Sequence, residues 1–485
     1  MFFPFVYGEL NYKCIDNQVL WNNSHHQCYT KVEGKIVKCQ KFSYSPGKDF
    51  QETAVEKFNL VCDKRERIRW DLSCLLIGEV FSTIFSSMLF DYFGRKRILQ
   101  IFTFLCIIVS TSYLFQPSFY LMCLSRIIGS FLGLSKDIGM LILATEVLPI
   151  KYARHSTSIL TAVVGTGCAM TSVFSMIFPK WKDFIFYRII LLDIIMFILT
   201  IFFLEESPKW LLQKKRYKEF KELIERMFKQ NKTEMPQNLR KILEDIQHQQ
   251  TQSNKKKTFS NLMSFFSGYK LVKTRKTAFR MFCLSLSWIT VVVIYYALAF
   301  GKDLFDFDLH IYYIINGLSE IPGAITQMAF TTYFGYRMTN FLSLTACAAC
   351  LFLNHFLKIH SGLIMLTYLN AACTKLLTMT VMMNVYTWNA QLVPTDLRGI
   401  GMGLGSFIGR LVGIPMPIVF SYLKNTKPYL PGVTMGIFAL IAAVFSLPLP
   451  ETKGHVPPDN IEEFEALGTK NYDDIKRQRI EMLKK

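Results

Sequence analysis

Charge is what this chain has least of for its length. Only 19% of its 485 residues are Asp, Glu, Lys or Arg, against about a quarter in ordinary soluble domains. No GxxxxGK[ST] phosphate loop occurs anywhere, so ATP-driven pumping has no support. No CxxC pair occurs among Cys14, Cys28, Cys39 and Cys62, the four cysteines of the N-terminal polar segment, which argues against a zinc site there. No metal or nucleophile constellation stands out, and His25-His26 is too isolated to bind a metal, so the chain reads as neither enzyme nor metalloprotein. Acidic charge is the scarcer sign, at 36 against 55 basic residues.

In place of charge there are long apolar runs. Hydrophobic residues make up 51%, with 42 Phe and 22 Tyr. Segments of 17–25 mostly apolar residues fall near 70–90, 98–116, 119–143, 156–178, 184–204, 278–300, 309–331, 338–357, 361–386, 399–422 and 432–449. Some contain Gly and Pro, which membrane helices tolerate. About eleven spans make this an all-α, polytopic membrane protein.

The net charge of +19 does not point to nucleic acid, because it follows the spans. Residues 205–277 hold 18 Lys/Arg against 8 Asp/Glu, and small basic clusters (Arg95-Lys96-Arg97, Lys151 with Arg154, Arg337, Arg398) follow alternate spans. The positive-inside rule places 205–277 and the tail 450–485 in the cytoplasm. Anionic inner-leaflet lipid is then the expected partner of these charges. Cys14, Cys28, Cys39 and Cys62 lie together in the polar segment 1–69, on the opposite side, where two disulfides are expected in any of three connectivities. The sequon at Asn22 is a glycosylation candidate there.

Three charged motifs recur about 245 residues apart. Asp91-Tyr92-Phe93-Gly94-Arg95 is echoed by Tyr333-Phe334-Gly335-Tyr336-Arg337. Glu146-Val147-Leu148-Pro149, ending at Arg154, is echoed by Gln391-Leu392-Val393-Pro394, ending at Arg398. Glu206-Ser207-Pro208-Lys209 is echoed by Glu451-Thr452-Lys453-Gly454. That period is a six-helix bundle, duplicated as in membrane transporters. The chain divides into a Cys-containing loop domain (1–69), a first bundle (70–204), a linker (205–277), a second bundle (278–449) and the tail. A surface helix is expected over Tyr217 to Lys229, where Phe220, Leu223, Ile224 and Phe228 share one face.

These motifs resemble the major facilitator superfamily and, within it, the organic ion transporters of cations, anions and carnitine-like zwitterions. Phe58-Asn59-Leu60-Val61-Cys62 resembles the end of that family's first extracellular loop. Asp91 to Arg97 resembles the loop after its second helix, and Glu206 to Leu211 the loop after its sixth. Leu392 to Thr395 with Arg398 and Gly401-Met402-Gly403 resembles its helix 10–11 corner, and Pro450 to Gly454 the end of its last helix. The resemblance implies two six-helix repeats, transport by alternating access, and the plasma membrane. A co- or counter-transported ion is a possible partner of such a cycle. It also implies a latch of Asp91, Gly94, Arg95, Glu146, Arg154, Glu206, Arg398 and Glu451, with Asp91 and Arg95 facing the other half near Arg398. Two departures, Gln391 for an acid and Thr332 for Asp, imply a weaker second latch.

Ionisable residues within spans cost about 2.5–3.5 kcal/mol, so each is a functional candidate. Arg410 and Lys375 are expected to attract carboxylate or sulfonate, Glu320 to balance them, and Tyr295, Tyr296 and Trp388 to line the pocket beside Trp288 and Tyr386. Glu79 and Asp193 are further buried acids without a family counterpart, and Lys136 and Asp137 are too close in sequence to share a helix face. This cavity, with two cations and one acid, favours an organic anion or zwitterion. An organic cation carrier and a non-translocating transporter-like receptor or scaffold are the rivals; a sugar carrier fits the charges poorly. Eleven spans and a cytoplasmic tail would put Met1 outside, yet Met1 to Tyr7 is too short to cross or to serve as a signal. A further helix is expected ahead of Met1. Transcript sequence upstream checks this: a continuing open reading frame is expected, and an in-frame stop just before Met1 contradicts it.

Overall fold

The computed structural model describes residues 3–8, 10–14, 28–32, 35–47, 49–148, 150–233, 267–300, 308–359, 364–394, 397–455, 457–469 and 472. Asn22 lies outside them, as do residues 234–266 of the 205–277 segment and the side chain of Arg154.

The first half is built from α1 (Arg67–Phe93), α2 (Arg95–Ser112), α3 (Phe119–Val147), α4 (Ile150–Ile177) and α5 (Trp181–Phe202). A helix leaves no backbone group unpaired, which is the condition for crossing hydrocarbon. Apolar side chains on these helices point outward as much as inward. Phe104, Ile108, Ile201 and Phe202 are all exposed, the opposite of a soluble bundle and what a lipid-facing belt requires. The amphipathic α6 (Tyr217–Gln230) follows and packs Phe220 and Leu223 against Trp210 and Leu211, as its face pattern predicts.

The second half comprises α7 (Arg275–Phe300), α8 (Leu309–Leu318), α9 (Glu320–Ile359), α10 (Ile364–Leu392), α11 (Arg398–Gly413), α12 (Met416–Thr426) and α13 (Leu430–Ser446). α9 is two helices meeting at Gly335, whose φ of 80° and ψ of 173° interrupt the helix. α11 and α12 form one span bent by 40° before Pro415, which cannot donate to the turn behind it. Among the described residues, eight helices, or nine counting that bent pair, are long and apolar enough to cross a membrane. Dividing α9 at Gly335 and adding the shorter α13 gives the eleven spans expected.

The halves meet along two seams. α4 packs on α8 and α9, and α1 packs on α11 and α12. On the first seam the backbones approach so closely that a Cβ on Gly317 would lie 2.5 Å from Ala169 N. There Ser172 donates to the His310 carbonyl at 3.0 Å. On the second seam Ser73 of α1 donates to the Ile414 carbonyl at 2.7 Å, satisfying an acceptor freed by the bend.

The segment before α1 is more ordered than a set of loops. Strands β1 (Asn11–Cys14) and β4 (Phe42–Ser45) form one antiparallel pair, with Cys14 opposite Phe42, and β2 (Tyr29–Val32) and β3 (Lys35–Lys38) form another. The all-α description thus holds for the spans, not for this domain. Of the three connectivities, the fold takes Cys14–Cys39 and Cys28–Cys62. The domain docks on the α4–α5 turn, with Gln51 N–H donating to the Pro179 carbonyl and Trp181 N–H to that of Glu52. Lys57 sits 5.3 Å from the Trp181 ring centroid, and burial, then nearby Lys182, pulls its ammonium below the ordinary lysine range. Tyr44 donates to Asn59 Oδ1, and burial, then Glu56, pushes its hydroxyl up to about 12.

Unreduced proteolysis of the purified chain should yield one peptide pair joining Cys14 to Cys39 and another joining Cys28 to Cys62. Cys28→Ser should leave the first pair intact and lower stability by about 2–4 kcal/mol, read as a fall in melting temperature.

Candidate functional site

The repeated motifs form two matching corners at the ends of spans. In the first, the Glu206 carboxylate accepts from the backbone N–H groups of Arg95 (2.9 Å), Lys96 (3.1 Å) and Ser207 (2.9 Å). An anion there stabilises the N-terminal end of α2. In the second, Glu451 accepts from Tyr336 N (2.9 Å), Arg337 N (3.0 Å) and Thr452 N (2.9 Å). The carboxylates can come so close only because glycine precedes each helix. Gly94 has φ +106° and Gly335 φ +80°, and a Cβ on either would lie 2.6 Å from the carboxylate.

Side chains at the two corners differ. The Arg95 guanidinium is bidentate to Glu146, through Nε and Nη2 at 3.0 Å each, and also meets Asp91 at 2.9 Å. The residue matching Arg95 is Tyr336, and its hydroxyl accepts from Gln391 Nε2 at 2.8 Å. Loss of the acid is therefore accompanied by loss of its base, and a neutral hydrogen bond stands in place of that ion pair at the second corner. The expected approach of Asp91 and Arg95 to Arg398 is corrected: Arg95 lies at the start of α2, beside the end of α3, and its charge is satisfied within its own half. Arg398 opens α11, and its Nε has no partner among the described residues.

Deeper in the spans, most expected site residues come together in one chain of contacts. Lys375 on α10 lies 3.0 Å from Glu320 Oε1 on α9, with only 2% and 1% of the side chains exposed. The approach is an ion pair without well-directed hydrogen-bond geometry. The ammonium also sits 3.7 Å from the Tyr295 ring centroid, a cation–π contact. Tyr295 on α7 donates to Glu320 Oε1 at 3.1 Å, and its ring stands at 89° to that of Tyr296. Tyr296 donates to Glu79 Oε2 on α1, and Arg410 Nε on α11 donates to the same oxygen at 3.0 Å. Arg410 Nη1 bonds Ser406 one turn back.

Two expectations change. Glu79 supplies a second acid, so the site has two cations and two acids. Trp388 does not join the chain: it is fully buried in the packed core, without an indole acceptor among the described residues. Trp288 is likewise buried and meets Tyr386 edge-on at 4.5 Å.

Two ion pairs inside the first half carry no expected role. Lys136 on α3 meets Asp193 on α5 at 2.8 Å. Arg126 on α3 donates through Nε (3.0 Å) and Nη2 (2.9 Å) to Asp71 Oδ2 on α1. Both members of the second pair escaped the sequence reading, although an arginine in the apolar Phe119–Val147 run was a readable signal. At the cysteine-domain end of α1, α7, α11 and α13, a cleft is lined by Leu72, Val293, Tyr296, Met416 and Met435, so Tyr296 links this cleft to the charged chain.

A family model described as sugar (and other) transporter matches residues 17–462. The chain belongs to that family. Solute carrier family 22 member 1 of Bos taurus is 24% identical to it over 486 residues, covering 95% of this chain and 82% of its own length. Organic cation/carnitine transporter 2 of Homo sapiens is 25% identical, over 85% of this chain and 72% of its own length. The Carcinine transporter of Drosophila melanogaster is 26% identical, over 90% and 63%. Among solved structures, the xylose transporter XylE from E. coli, in an inward open conformation, has a TM-score of 0.60 at 16% identity. It covers 85% of this chain and 94% of that one. A major facilitator superfamily proton:xylose symporter structure has a TM-score of 0.57 at 18% identity, over 85% and 93%. Such likenesses speak for the fold. This is a multi-pass transporter of the major facilitator fold and not an enzyme.

The corners should tolerate substitution unequally. Glu146→Gln, which strips half the neutralisation from buried Arg95, should cost about 1–3 kcal/mol, and Gln391→Ala about 1 kcal/mol. Gly94→Ala and Gly335→Ala should each cost about 1–3 kcal/mol from strained φ, with the carboxylate clash adding to it. Melting of the detergent-purified variants checks the order.

Proposed function

We propose that the chain carries small organic ions across the plasma membrane by alternating access, with zwitterions of the carnitine type favoured over simple anions. The observation that carries this reading is the charge-balanced chain Lys375–Glu320–Tyr295–Tyr296–Glu79–Arg410 between the halves. A net-neutral site with separable acids and bases suits a substrate bearing both charges. The names of the relatives above agree with organic ions as the class. In this reading Arg410 and Lys375 attract a carboxylate, Tyr295 and Tyr296 contact the organic body, and Glu320 balances charge. The two carboxylate-gripped corners hold the ends of the moving helices. The cysteine domain would lie outside, and the linker and tail in the cytoplasm against anionic lipid, with an ion carried along or in exchange.

An organic cation is the second reading, and one observation favours it: Glu320 Oε2 is buried and has no partner among the described residues. A non-translocating receptor draws on the neutral Tyr336–Gln391 corner.

Uptake of labelled carnitine, an organic anion and tetraethylammonium into cells expressing the chain tests these readings. Arg410→Ala should reduce carnitine uptake at least tenfold at equal surface expression. Full retention of carnitine and anion uptake contradicts Arg410's role. Tetraethylammonium uptake abolished by Glu320→Gln and untouched by Arg410→Ala selects the cation reading, and no uptake in any arm selects the receptor.

A further inference from the structure

The two ion pairs of the central chain are not equivalent. Lys375–Glu320 is sealed and lies within the second half. Glu79–Arg410 joins the first half to the second, and Glu79, with 14% of its side chain exposed, is the more accessible acid. A ligand reaching the chain meets this pair first. An organic anion that took Arg410 would strand the Glu79 carboxylate, and a cation that took Glu79 would strand the guanidinium. An uncompensated buried charge is the costly outcome of breaking such a pair. A zwitterion avoids both penalties: its acidic group takes Arg410, its ammonium takes Glu79, and one ion pair becomes two.

We propose that Glu79 is the specificity-determining residue of this carrier. It holds Arg410 while the site is empty, and it yields that position to the carboxylate of a zwitterion while receiving the ammonium. The inference rests on the organic-ion reading above and adds the residue that discriminates and the direction in which it does so. Because the pair ties α1 to α11, the exchange also replaces a direct bond between the halves with one through the ligand.

Thermal-shift titration of the purified full-length chain with L-carnitine and with benzoate reads binding, and uptake in cells reads transport separately. Glu79→Gln should move the benzoate-to-carnitine affinity ratio at least tenfold toward benzoate, while Glu79→Asp keeps the wild-type order. If Glu79→Gln melts too early to purify, Glu79→Gln/Arg410→Gln, which strands no charge, is read instead and should erase carnitine's advantage. An unchanged ratio in whichever of these variants is folded overturns the proposal, as does the absence of binding by either ligand to the wild type. The expected ratio without uptake keeps the role of Glu79 and removes the transport reading. Carnitine uptake with an unchanged ratio does the reverse.

Discussion

Everything within the spans depends on one constraint: a charge withdrawn from water must find its opposite within about a bond's reach. Beyond the Asp91–Arg95–Glu146 cluster at the first corner, four ion pairs meet it among the described residues of the spans, and each fastens a particular pair of helices. Asp71–Arg126 joins α1 to α3, Lys136–Asp193 joins α3 to α5, Lys375–Glu320 joins α9 to α10, and Glu79–Arg410 joins α1 to α11. Three of these lie inside a half and make it a coherent body. Only the fourth crosses between halves, where relative motion would have to break it. Among the described residues, these pairs thus tie each half within itself and join the halves at one place.

Backbone and side chains divide the labour at the corners. Glu206 and Glu451 grip helix starts through main-chain N–H groups and need only a preceding glycine, so both copies keep that arrangement. The side-chain part tolerates substitution if both partners change together, as Tyr336 with Gln391 replaces Arg95 with Glu146.

The spans, the duplication, the paired cysteines and the cations of the central chain were legible because each is written in composition or spacing. Most of what was missed depends on the rotation of one helix against another. Glu79 was visible as a buried acid, but that it faces Arg410, 331 positions away, follows from how α1 meets α11, which no local pattern encodes. Gln391 read as a lost acid by comparison with the family; Tyr336, which stands where Arg95 does and accepts from Gln391, supplies the explanation. Trp388 was placed in the pocket by its residue type, and its helix azimuth turns it into the core instead. The paired strands before α1 were hidden because four-residue strands carry too little alternation to read.

The neutral Tyr336–Gln391 bond has a consequence for how the molecule answers its surroundings. Dissolved electrolyte weakens attraction between exposed charges over about 8 Å at physiological strength but leaves a neutral hydrogen bond almost untouched. Asp91, more than half exposed beside Arg95, gives the first corner an electrolyte sensitivity that Tyr336 and Gln391 cannot share. Of the two pseudo-symmetric side-chain contacts, only the Asp91–Arg95 pairing of the first repeat is therefore open to weakening by dissolved electrolyte.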